Sequence, residues 1–355
     1  MQKTTLLFLL LLTLMNCTDK QKNKHVTHLK NGSVIFAYKG FEQFLQGKKN
    51  WKNYRKKALI PFSSMKKIHQ RYIEQGLIDS IYFKGKLTQY SKSEFQEYFS
   101  KFDGKHITRK YKETISEINS LLPALEPVDI CFFLPYGKDC FVQEVNGRQT
   151  IFISLKYGME MMEKIIIHEY AHCLHFQRRI KKNKTLKEWI IAEGIASYFP
   201  KFLSKNTSIY ECLWMMPKEN IEWCIKNEDR IIDTIFKELD KKGLHPLKRF
   251  IAGGKGFSKP PNGFPEKTGY YLGYRIIEQC INENLSIKQI FHLHPNELVD
   301  TSNIFIESGF QRYRAGKDFN NIDSIDVGSN VVHFLSSRGR TNFNTKHNSW
   351  NNDTI

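Results

Sequence analysis

The clearest helical pattern in this chain covers residues 159–179, where apolar side chains recur at helical spacing and neither glycine nor proline interrupts them. A second amphipathic segment covers residues 185–199. It begins with Thr185, and Glu188 follows three residues later, a spacing that is typical of a capping box at a helix N-terminus. We therefore predict two consecutive helices in the middle of the chain.

Three apolar runs upstream of these helices predict β-strands. They cover residues 128–134, 141–145 and 150–155, each short and rich in β-branched or aromatic residues. The dipeptide Asn146-Gly147 separates the last two runs and is a common turn of a two-residue hairpin. The pattern thus predicts one strand followed by a β-hairpin, directly before the first of the two helices.

The chemistry of the first predicted helix lies in His168-Glu169-Tyr170-Ala171-His172. Residues four apart in a helix are separated by about 40° around its axis and about 6 Å along it, so both imidazoles can bind one metal ion. Glu169 projects about 100° away from His168, next to the ion but not bound to it. This position suits a general base acting on water at a zinc ion. The motif therefore predicts a hydrolytic site with one zinc ion per chain.

A catalytic zinc ion held by two histidines needs a third protein ligand and an open fourth position for water. The extended motif of the metzincins is excluded, because it requires glycine and histidine where the chain has His175 and Arg178. Glu193 lies in the second helix among small residues, which allow that helix to approach the first. Glu188 is the alternative, but it projects about 140° away from Glu193 and suits helix capping. We predict Glu193 as the third ligand.

A third polar cluster follows in residues 267–278. Zinc hydrolases need a donor for the oxyanion of the tetrahedral intermediate, and a phenol or guanidinium can supply it. The candidates are Tyr271, Tyr274 and Arg275, since Tyr271 lies three and four residues before the other two on one helical face. The alternative is ordinary aromatic packing, with Gly273 as a close contact between helices.

Together, these segments resemble a known family. The resemblance is to the gluzincins, most closely to predicted zinc-dependent proteases catalogued as a domain of unknown function, and it covers about residues 60–285. It rests on three motifs, His168-Glu169-x-x-His172, Glu193-Gly194-x-Ala196-Ser197-Tyr198 and Gly269-Tyr270-Tyr271-x-Gly273-Tyr274-Arg275. The resemblance implies His168, His172 and Glu193 as ligands and Glu169 as the base. Some gluzincins orient a ligand histidine with an aspartate where this chain has Ser197, which would orient it more weakly.

The expected fold class is α+β, a mostly helical zincin-like fold with a small antiparallel sheet before the metal-binding helix. Zincins commonly bind extended substrate along the strand before that helix, so residues 151–155 are the expected edge strand. The expected organisation is a signal peptide with lipobox at 1–17, a linker at 18–40, an N-terminal helical region at 41–122, a catalytic domain at 123–300 and a C-terminal extension at 301–355, disordered toward its end from residue 336.

The N-terminus predicts export. Lys3 precedes a leucine-rich core that ends near Cys17, which is the arrangement of a bacterial lipoprotein signal, although Asn16 is an uncommon residue before the cysteine. The apolar run is too short to span a bilayer of about 30 Å. We expect a lipid on Cys17 that holds the protein at a membrane, facing the periplasm or the cell surface.

Net charge and cysteine content refine this picture. The formal net charge of +18 indicates anionic lipid headgroups, polysaccharide or acidic substrates as partners of an exported protein, not nucleic acid. A lysine-rich solvated surface without a specific partner is the alternative. Six cysteines remain besides Cys17, and an oxidising compartment permits disulfides. We expect Cys131 with Cys140 as the first pair to consider.

The function that these features predict is hydrolysis of peptide bonds in a peptide or protein substrate by a zinc-activated water. One alternative is a lipoprotein that binds a peptide or glycan on the same scaffold without cutting it, because fold does not determine function. Another is hydrolysis of an amide bond in a cell-wall or small-molecule substrate. The pattern indicates neither the cleavage specificity nor the oligomeric state.

Overall fold

A computed structural model describes residues 25–179, 184–252 and 259–305 with their side chains, and the backbone of three strands between residues 324 and 342. The chain divides into two compact units, Met1–Ser302 and Asn303–Ile355. The first unit contains all the metal and catalytic residues that the sequence predicts. The predicted lipidation site, Cys17, lies outside the described residues.

The first unit contains a five-stranded sheet whose inner strands are buried on both faces. The inner strands β3 and β5 are buried except for their first one or two residues, and the buried parts are rich in isoleucine and phenylalanine, which is typical of such burial. The strand order is β1-β2-β3-β5-β4, and β2 with β3 and β3 with β5 are parallel, while the other pairs are antiparallel. The strands are β1 (Val26–Leu29), β2 (Gly32–Ile35), β3 (Asp129–Phe133), β4 (Cys140–Val145) and β5 (Arg148–Ser154).

This topology corrects two expectations. The sheet is mixed, not antiparallel. Strand β2 belongs to a hairpin far upstream, and it pairs in parallel with β3 because a long helical crossover connects the two strands. Residues 151–155 do not form an edge, because β5 lies between β3 and β4, and the edge strands are β1 and β4. The predicted hairpin between β4 and β5 is confirmed, and Asn146 and Gly147 both have the positive φ angles that its turn requires. The hairpin β1–β2 lies in the stretch expected as a linker.

Helices fill the region between β2 and β3, where helical spacing predicts them. Aromatic rings form their core, with Phe41 packed edge-on against Phe95 at a centroid distance of 4.9 Å. The helices are α1 (Tyr38–Leu45), α2 (Trp51–Tyr54) continued by a π-helical turn (Arg55–Leu59), α3 (Ser63–Glu74), α4 (Ser80–Lys86), α5 (Lys92–Lys101) and α6 (Gly104–Leu121).

The two predicted central helices are α7 (Met159–Arg178) and α8 (Leu186–Leu203). A short 3-10 turn and Gly158, with a φ of 80°, connect β5 to α7. The capping box at the start of α8 is confirmed, with Thr185 and Glu188 bonded reciprocally to each other's backbone. The remaining helices are α9 (Ile209–Cys212), α10 (Lys218–Lys226), α11 (Glu228–Phe236), α12 (Leu244–Leu247), α13 (Thr268–Asn282), α14 (Ile287–His292) and α15 (Pro295–Ser302), with a π-helical turn (Lys248–Ala252) after α12.

Helices α8 and α13 cross in direct backbone contact. A Cβ atom added to Gly194 would lie 2.3 Å from the carbonyl oxygen of Gly273, and one added to Gly273 would lie 2.2 Å from the carbonyl oxygen of Ile190. Neither position can therefore hold a side chain at this separation. The small residues of α8 were expected to allow its approach to α7, whereas Gly194 serves the crossing with α13.

The expected disulfide between Cys131 and Cys140 is not formed. Cys131 lies on β3 and Cys140 on β4, on opposite sides of β5, so their backbones are about 10 Å apart. A disulfide needs Cα atoms about 4.4–6.8 Å apart. All six cysteines in the described part of the chain are free thiols.

The second unit contains an antiparallel three-stranded sheet in the order β6-β7-β8. The sequence analysis predicted no strands there and expected disorder from residue 336 onward, and residues 343–355 lie outside the described part. The strands are β6 (Ser324–Gly328), β7 (Val331–Ser336) and β8 (Gly339–Asn342). Among the helices described in either unit, none combines the length and apolar character needed to cross a membrane.

The helix crossing generates a test of stability. Gly194→Ala forces a methyl group into the backbone of α13, so we expect a loss of about 2–3 kcal/mol in the free energy of unfolding. Gly85→Ala in α4 is the matched control, because no atom lies within 4 Å of the added Cβ and alanine favours a helix. Thermal and urea denaturation of both variants measure the difference. Equal stability of the two variants would contradict the close crossing.

Candidate metal centre

The metal-binding positions of α7 are set by its packing between the sheet and α8. Ile165 and Ile166 are fully buried, and the next turn brings His168 and His172 to the side that faces α8. The imidazole centroids of these histidines are 4.8 Å apart and their planes are nearly perpendicular. The side chains are therefore adjacent along one face, as the four-residue spacing predicts.

Glu193 on α8 completes the group. One oxygen of its carboxylate, Oε2, lies 3.4 Å from Nε2 of His168 and 3.2 Å from Nε2 of His172. The ligand atoms of the three residues all lie within 4.8 Å of one another, and all three residues are buried. Within the described residues, this is the one group of three or more histidine, cysteine or acidic side chains close enough to hold a metal ion.

The donor set fits zinc in both chemistry and spacing. Two imidazoles and one carboxylate are the protein ligands of many catalytic zinc sites, with bond lengths of about 2.0–2.1 Å. Two ligand atoms at tetrahedral positions around such an ion are separated by about 3.3–3.4 Å. The distances from the glutamate oxygen to the two histidine nitrogens match this separation. A zinc ion could therefore bind His168, His172 and Glu193 without moving their elements.

Charge explains how a carboxylate is tolerated in this buried position. Burial alone raises the pKa of Glu193, but interactions with His172 and His168 outweigh it, so the pKa lies well below its ordinary value. The side chain is therefore ionised at neutral pH. An ionised carboxylate beside two imidazoles is the state in which these residues bind a cation.

Glu169 lies beside the group without belonging to it. Its side chain is buried, and this burial raises its pKa to about 7, with His168 lowering it and the charge of Glu193 raising it. The thiol of Cys140, on β4, hydrogen-bonds to the Glu169 carboxylate and also lies 3.5 Å from the hydroxyl of Tyr157. A carboxyl group with a pKa near neutrality can both accept and return a proton. The structure thus places Glu169 where the sequence predicts a general base.

The hydrogen bonds that usually orient metal-binding histidines are absent from the described part of the chain. Nδ1 of His168 and Nδ1 of His172 are buried and form no hydrogen bond there. The hydroxyl of Ser197 is also buried without a partner there, so it orients neither imidazole. Besides their contacts with Glu193, the positions of these rings therefore depend on packing against aromatic neighbours.

Three further residues of α7 and α8 lie outside the metal group. His175 is buried against Phe291 and Phe176 and is not part of the metal group, and burial lowers its pKa to about 3. Cys173 is a fully buried thiol. Glu188 caps α8 with its own carboxylate, which leaves Glu193 as the acid of this helix that reaches the histidines.

The three predicted oxyanion donors do not reach the metal group. Tyr271 and Arg275 share a face of α13, as their spacing predicts, but that face packs against α11, where both bind the carboxylate of Glu228. Tyr274 hydrogen-bonds to Glu278 at 3.0 Å. These residues form a polar cluster between helices, and the structure places them away from the chemistry that the sequence assigned to them.

Tyr270 is the residue of this segment that lies beside the metal group. Its ring stacks on that of His168 at a centroid distance of 6.3 Å and an interplanar angle of 21°. Burial and the nearby carboxylates of Glu193 and Glu169 raise the pKa of its phenol well above the ordinary value, so it remains protonated and can donate a hydrogen bond. Tyr270 lies three residues before Gly273, on the face of α13 that crosses α8.

The sequence contained a signal for Tyr270 that the spacing argument missed. Gly273 is the close helix contact, so the face of α13 that carries it meets α8 next to Glu193. Residues three apart share a helical face, which selects Tyr270 over Tyr271. Cys140 and Trp214 also lie beside the site, the latter with its ring 6.3 Å from that of His168. No local pattern predicted these two, because they come from distant segments.

Comparison with known proteins agrees with this geometry. No curated protein and no solved structure matches the chain. One family model does match, over residues 140–300, a span that includes β4, the metal-binding residues of α7 and α8, and the tyrosines of α13. This part of the chain, which contains the whole candidate metal centre, matches the family described as Predicted Zn-dependent protease (DUF2268).

Proposed function

We propose that this protein is a zinc metallopeptidase that hydrolyses peptide bonds with water. The observation that carries the proposal is the convergence of His168, His172 and Glu193 on one point, with Glu169 on the same helix beside them. The family described as predicted zinc-dependent proteases supports the same chemistry. A zinc ion bound there would supply a Lewis acid that lowers the pKa of water and polarises a carbonyl group.

The residues of this chain have distinct tasks in the proposed reaction. Glu169 takes a proton from the attacking water and later delivers it to the leaving amine, for which its pKa near neutrality is suitable. The phenol of Tyr270 donates a hydrogen bond to the carbonyl oxygen as negative charge develops there. The buried surroundings of Glu169 exclude bulk water, which strengthens its electrostatic effect on the reacting atoms.

We also propose that the protein is exported and anchored through a lipid on Cys17. The support is the basic start, the leucine-rich core and the cysteine in residues 1–17, which together form a lipoprotein signal. The first described residue, His25, follows Cys17 by eight positions, so the catalytic unit would remain within a short tether of the membrane.

Zinc content tests the ligand set. We expect about one zinc ion per chain in the purified protein, and loss of most of it in His168→Ala and in Glu193→Ala, because each variant leaves only two protein ligands. His175→Gln is the matched control, since it changes a histidine of the same helix outside the group. Elemental analysis by mass spectrometry gives the ratio. Zinc retained in the Glu193 variant would mean that another residue is the third ligand.

Glu169→Gln separates catalysis from metal binding. We expect this variant to keep its zinc and to lose activity by at least about 100-fold, because the amide cannot accept the proton of water. Cleavage of a mixture of fluorogenic peptides measures turnover, and Glu163→Gln on an exposed part of α7 is the matched control. Unchanged turnover in the Glu169 variant would refute the proposed mechanism. A zinc-loaded protein that cleaves none of the peptides would favour the non-catalytic binding function.

The pair Tyr270→Phe and Tyr271→Phe identifies the oxyanion donor. Removing the hydroxyl of Tyr270 should lower kcat by about 100-fold with little change in KM, because its hydrogen bond forms with charge that develops only during the reaction. Removing the hydroxyl of Tyr271 breaks its bond to Glu228 and should lower stability by about 1 kcal/mol without changing kcat. Steady-state kinetics and thermal denaturation distinguish the two. The reverse pattern would support the donor that the sequence alone suggested.

A further inference from the structure

Two lysines are connected to the metal group through aromatic rings. On one side, Lys267 lies over the ring of Tyr270, with its ammonium 5.7 Å from the centroid, and Tyr270 stacks on His168. On the other side, Lys184 lies 3.8 Å from the ring centroid of Phe176, which stacks on His172 at 5.5 Å and 11°. Each of the two histidines therefore contacts one aromatic ring, and the ammonium group of one lysine lies over that ring. We call Lys184 and Lys267 the flanking lysines.

The flanking lysines are half-buried, and neither forms an ion pair with a carboxylate in the described part of the chain. Lys267 has a backbone oxygen, that of Met215, as its acceptor at 3.4 Å. Lys184 lies over two rings, those of Phe176 and Trp189. Burial lowers the pKa of Lys184 to about 8 and lowers that of Lys267, although the charge of Glu193 opposes both shifts. Both groups therefore bear a desolvation cost that no protein carboxylate offsets by direct contact.

Other half-buried lysines of the same region are neutralised. Lys187, three positions after Lys184, contacts Asp240 at 3.0 Å, and Lys201 on the same helix contacts Glu278 at 3.1 Å. The absence of a carboxylate partner is thus not a general feature of lysines around α8. It is found at the two lysines that adjoin the metal group.

The backbone also favours a functional explanation for Lys267. This residue has a φ of 66°, in the left-handed region that side chains other than glycine rarely adopt, at the position just before α13. Backbone strain of this kind is concentrated at functional sites. Here it holds the ammonium group over Tyr270, whereas a glycine would satisfy the turn without strain.

The rings between the lysines and the histidines are accessible. Phe176 and Tyr270 are each partly exposed, while His168, His172 and Glu193 are buried. Partly exposed rings beside a buried metal group are the expected walls of a substrate cleft. A substrate that reaches the metal would then pass close to both flanking lysines.

We propose that the flanking lysines bind carboxylate groups of the substrate, so that the enzyme prefers acidic peptides with aspartate or glutamate on either side of the cleaved bond. This inference rests on the proposed peptidase function and specifies its substrate class. Each lysine provides three N–H donors, and a carboxylate would supply the partner that each lacks. The formal net charge of +18 would also attract acidic chains over longer distances.

Binding and cleavage test this proposal separately. Binding is measured with the zinc-loaded Glu169→Gln variant, because it should hold a peptide without cutting it. The probes are two fluorescein-labelled peptides of the same sequence, except that one has glutamate and the other glutamine on both sides of the bond to be cleaved. We expect the glutamate peptide to bind about 100-fold more tightly by fluorescence anisotropy, about tenfold for each lysine. Adding Lys184→Gln or Lys267→Gln should each remove about tenfold of that preference, in accord with the loss of a charged hydrogen bond. The glutamine peptide should bind the variants equally.

Charge-retaining and distant variants complete the design. Lys184→Arg and Lys267→Arg should keep most of the preference, and Lys218→Gln, an exposed lysine of α10, should not change it. Equal affinity for the two peptides, or a preference that survives both glutamine variants, would overturn the proposal. Thermal denaturation identifies a variant that fails to fold, and at such a position the methionine variant, which removes the charge but keeps the apolar stem of the side chain, is measured with the same two peptides.

Cleavage by the unaltered protein distinguishes failure of this inference from failure of the proposed function. Mass spectrometry of a digested peptide library should show aspartate or glutamate enriched near the cut at least fivefold. Cleavage without that enrichment would overturn the substrate preference and leave the peptidase function intact. Selective binding of the glutamate peptide without any cleavage would support the flanking lysines as a carboxylate site and refute the peptidase function.

Discussion

The contact between Gly194 and Gly273 determines the geometry of the candidate metal centre. It brings the backbones of α8 and α13 together, and the residues next to it on each helix belong to the site. Glu193 precedes the first glycine by one position, and Tyr270 precedes the second by one helical turn. The carboxylate of Glu193 and the phenol of Tyr270 are thus positioned by one crossing, and a side chain at that crossing would move both. The histidines come from α7, so three helices meet at the metal-binding point.

Electrostatics gives the two buried carboxylates of this site different affinities for protons. A buried carboxylate is costly unless cationic or hydrogen-bonding groups compensate it, and His168 and His172 do so for Glu193. Glu169 has weaker compensation, which is why burial raises its pKa to about 7 while that of Glu193 is lowered. Two carboxylates on adjacent helices therefore differ in their affinity for protons. One is suited to hold a cation and the other to exchange a proton, a division that depends on their surroundings and not on their type.

The sequence predicted the parts of this site that follow from local spacing and failed where distant segments meet. Local spacing determines the histidine pair, the approach of Glu193 and the hairpin turn at Asn146. The structure brings the three side chains together and contains the hairpin, as predicted. The predicted edge strand was wrong, because β3 pairs in parallel with β5 and not with β4, the strand that follows it in the chain, and no local pattern encodes that choice. The Cys131–Cys140 disulfide failed for the same reason, since the sequence does not show that β5 inserts between their strands. Tyr270 was not predicted, because the face of α13 that meets α8 is determined by the small residue Gly273 and not by the chemistry of the neighbouring side chains.

The aromatic rings between the flanking lysines and the histidines resolve a conflict between binding metal and binding an acidic substrate. A lysine about 4 Å from a divalent ion would be repelled by about 8 kcal/mol at an effective dielectric constant of about 20, and it would weaken metal binding directly. At about 10 Å the repulsion falls to less than half of that value, and salt screens what remains near the surface. The face of a ring also attracts the ammonium group, which offsets part of its desolvation. Placing Phe176 and Tyr270 between cation and imidazole therefore keeps the lysines away from the metal, yet within reach of a peptide that lies across it.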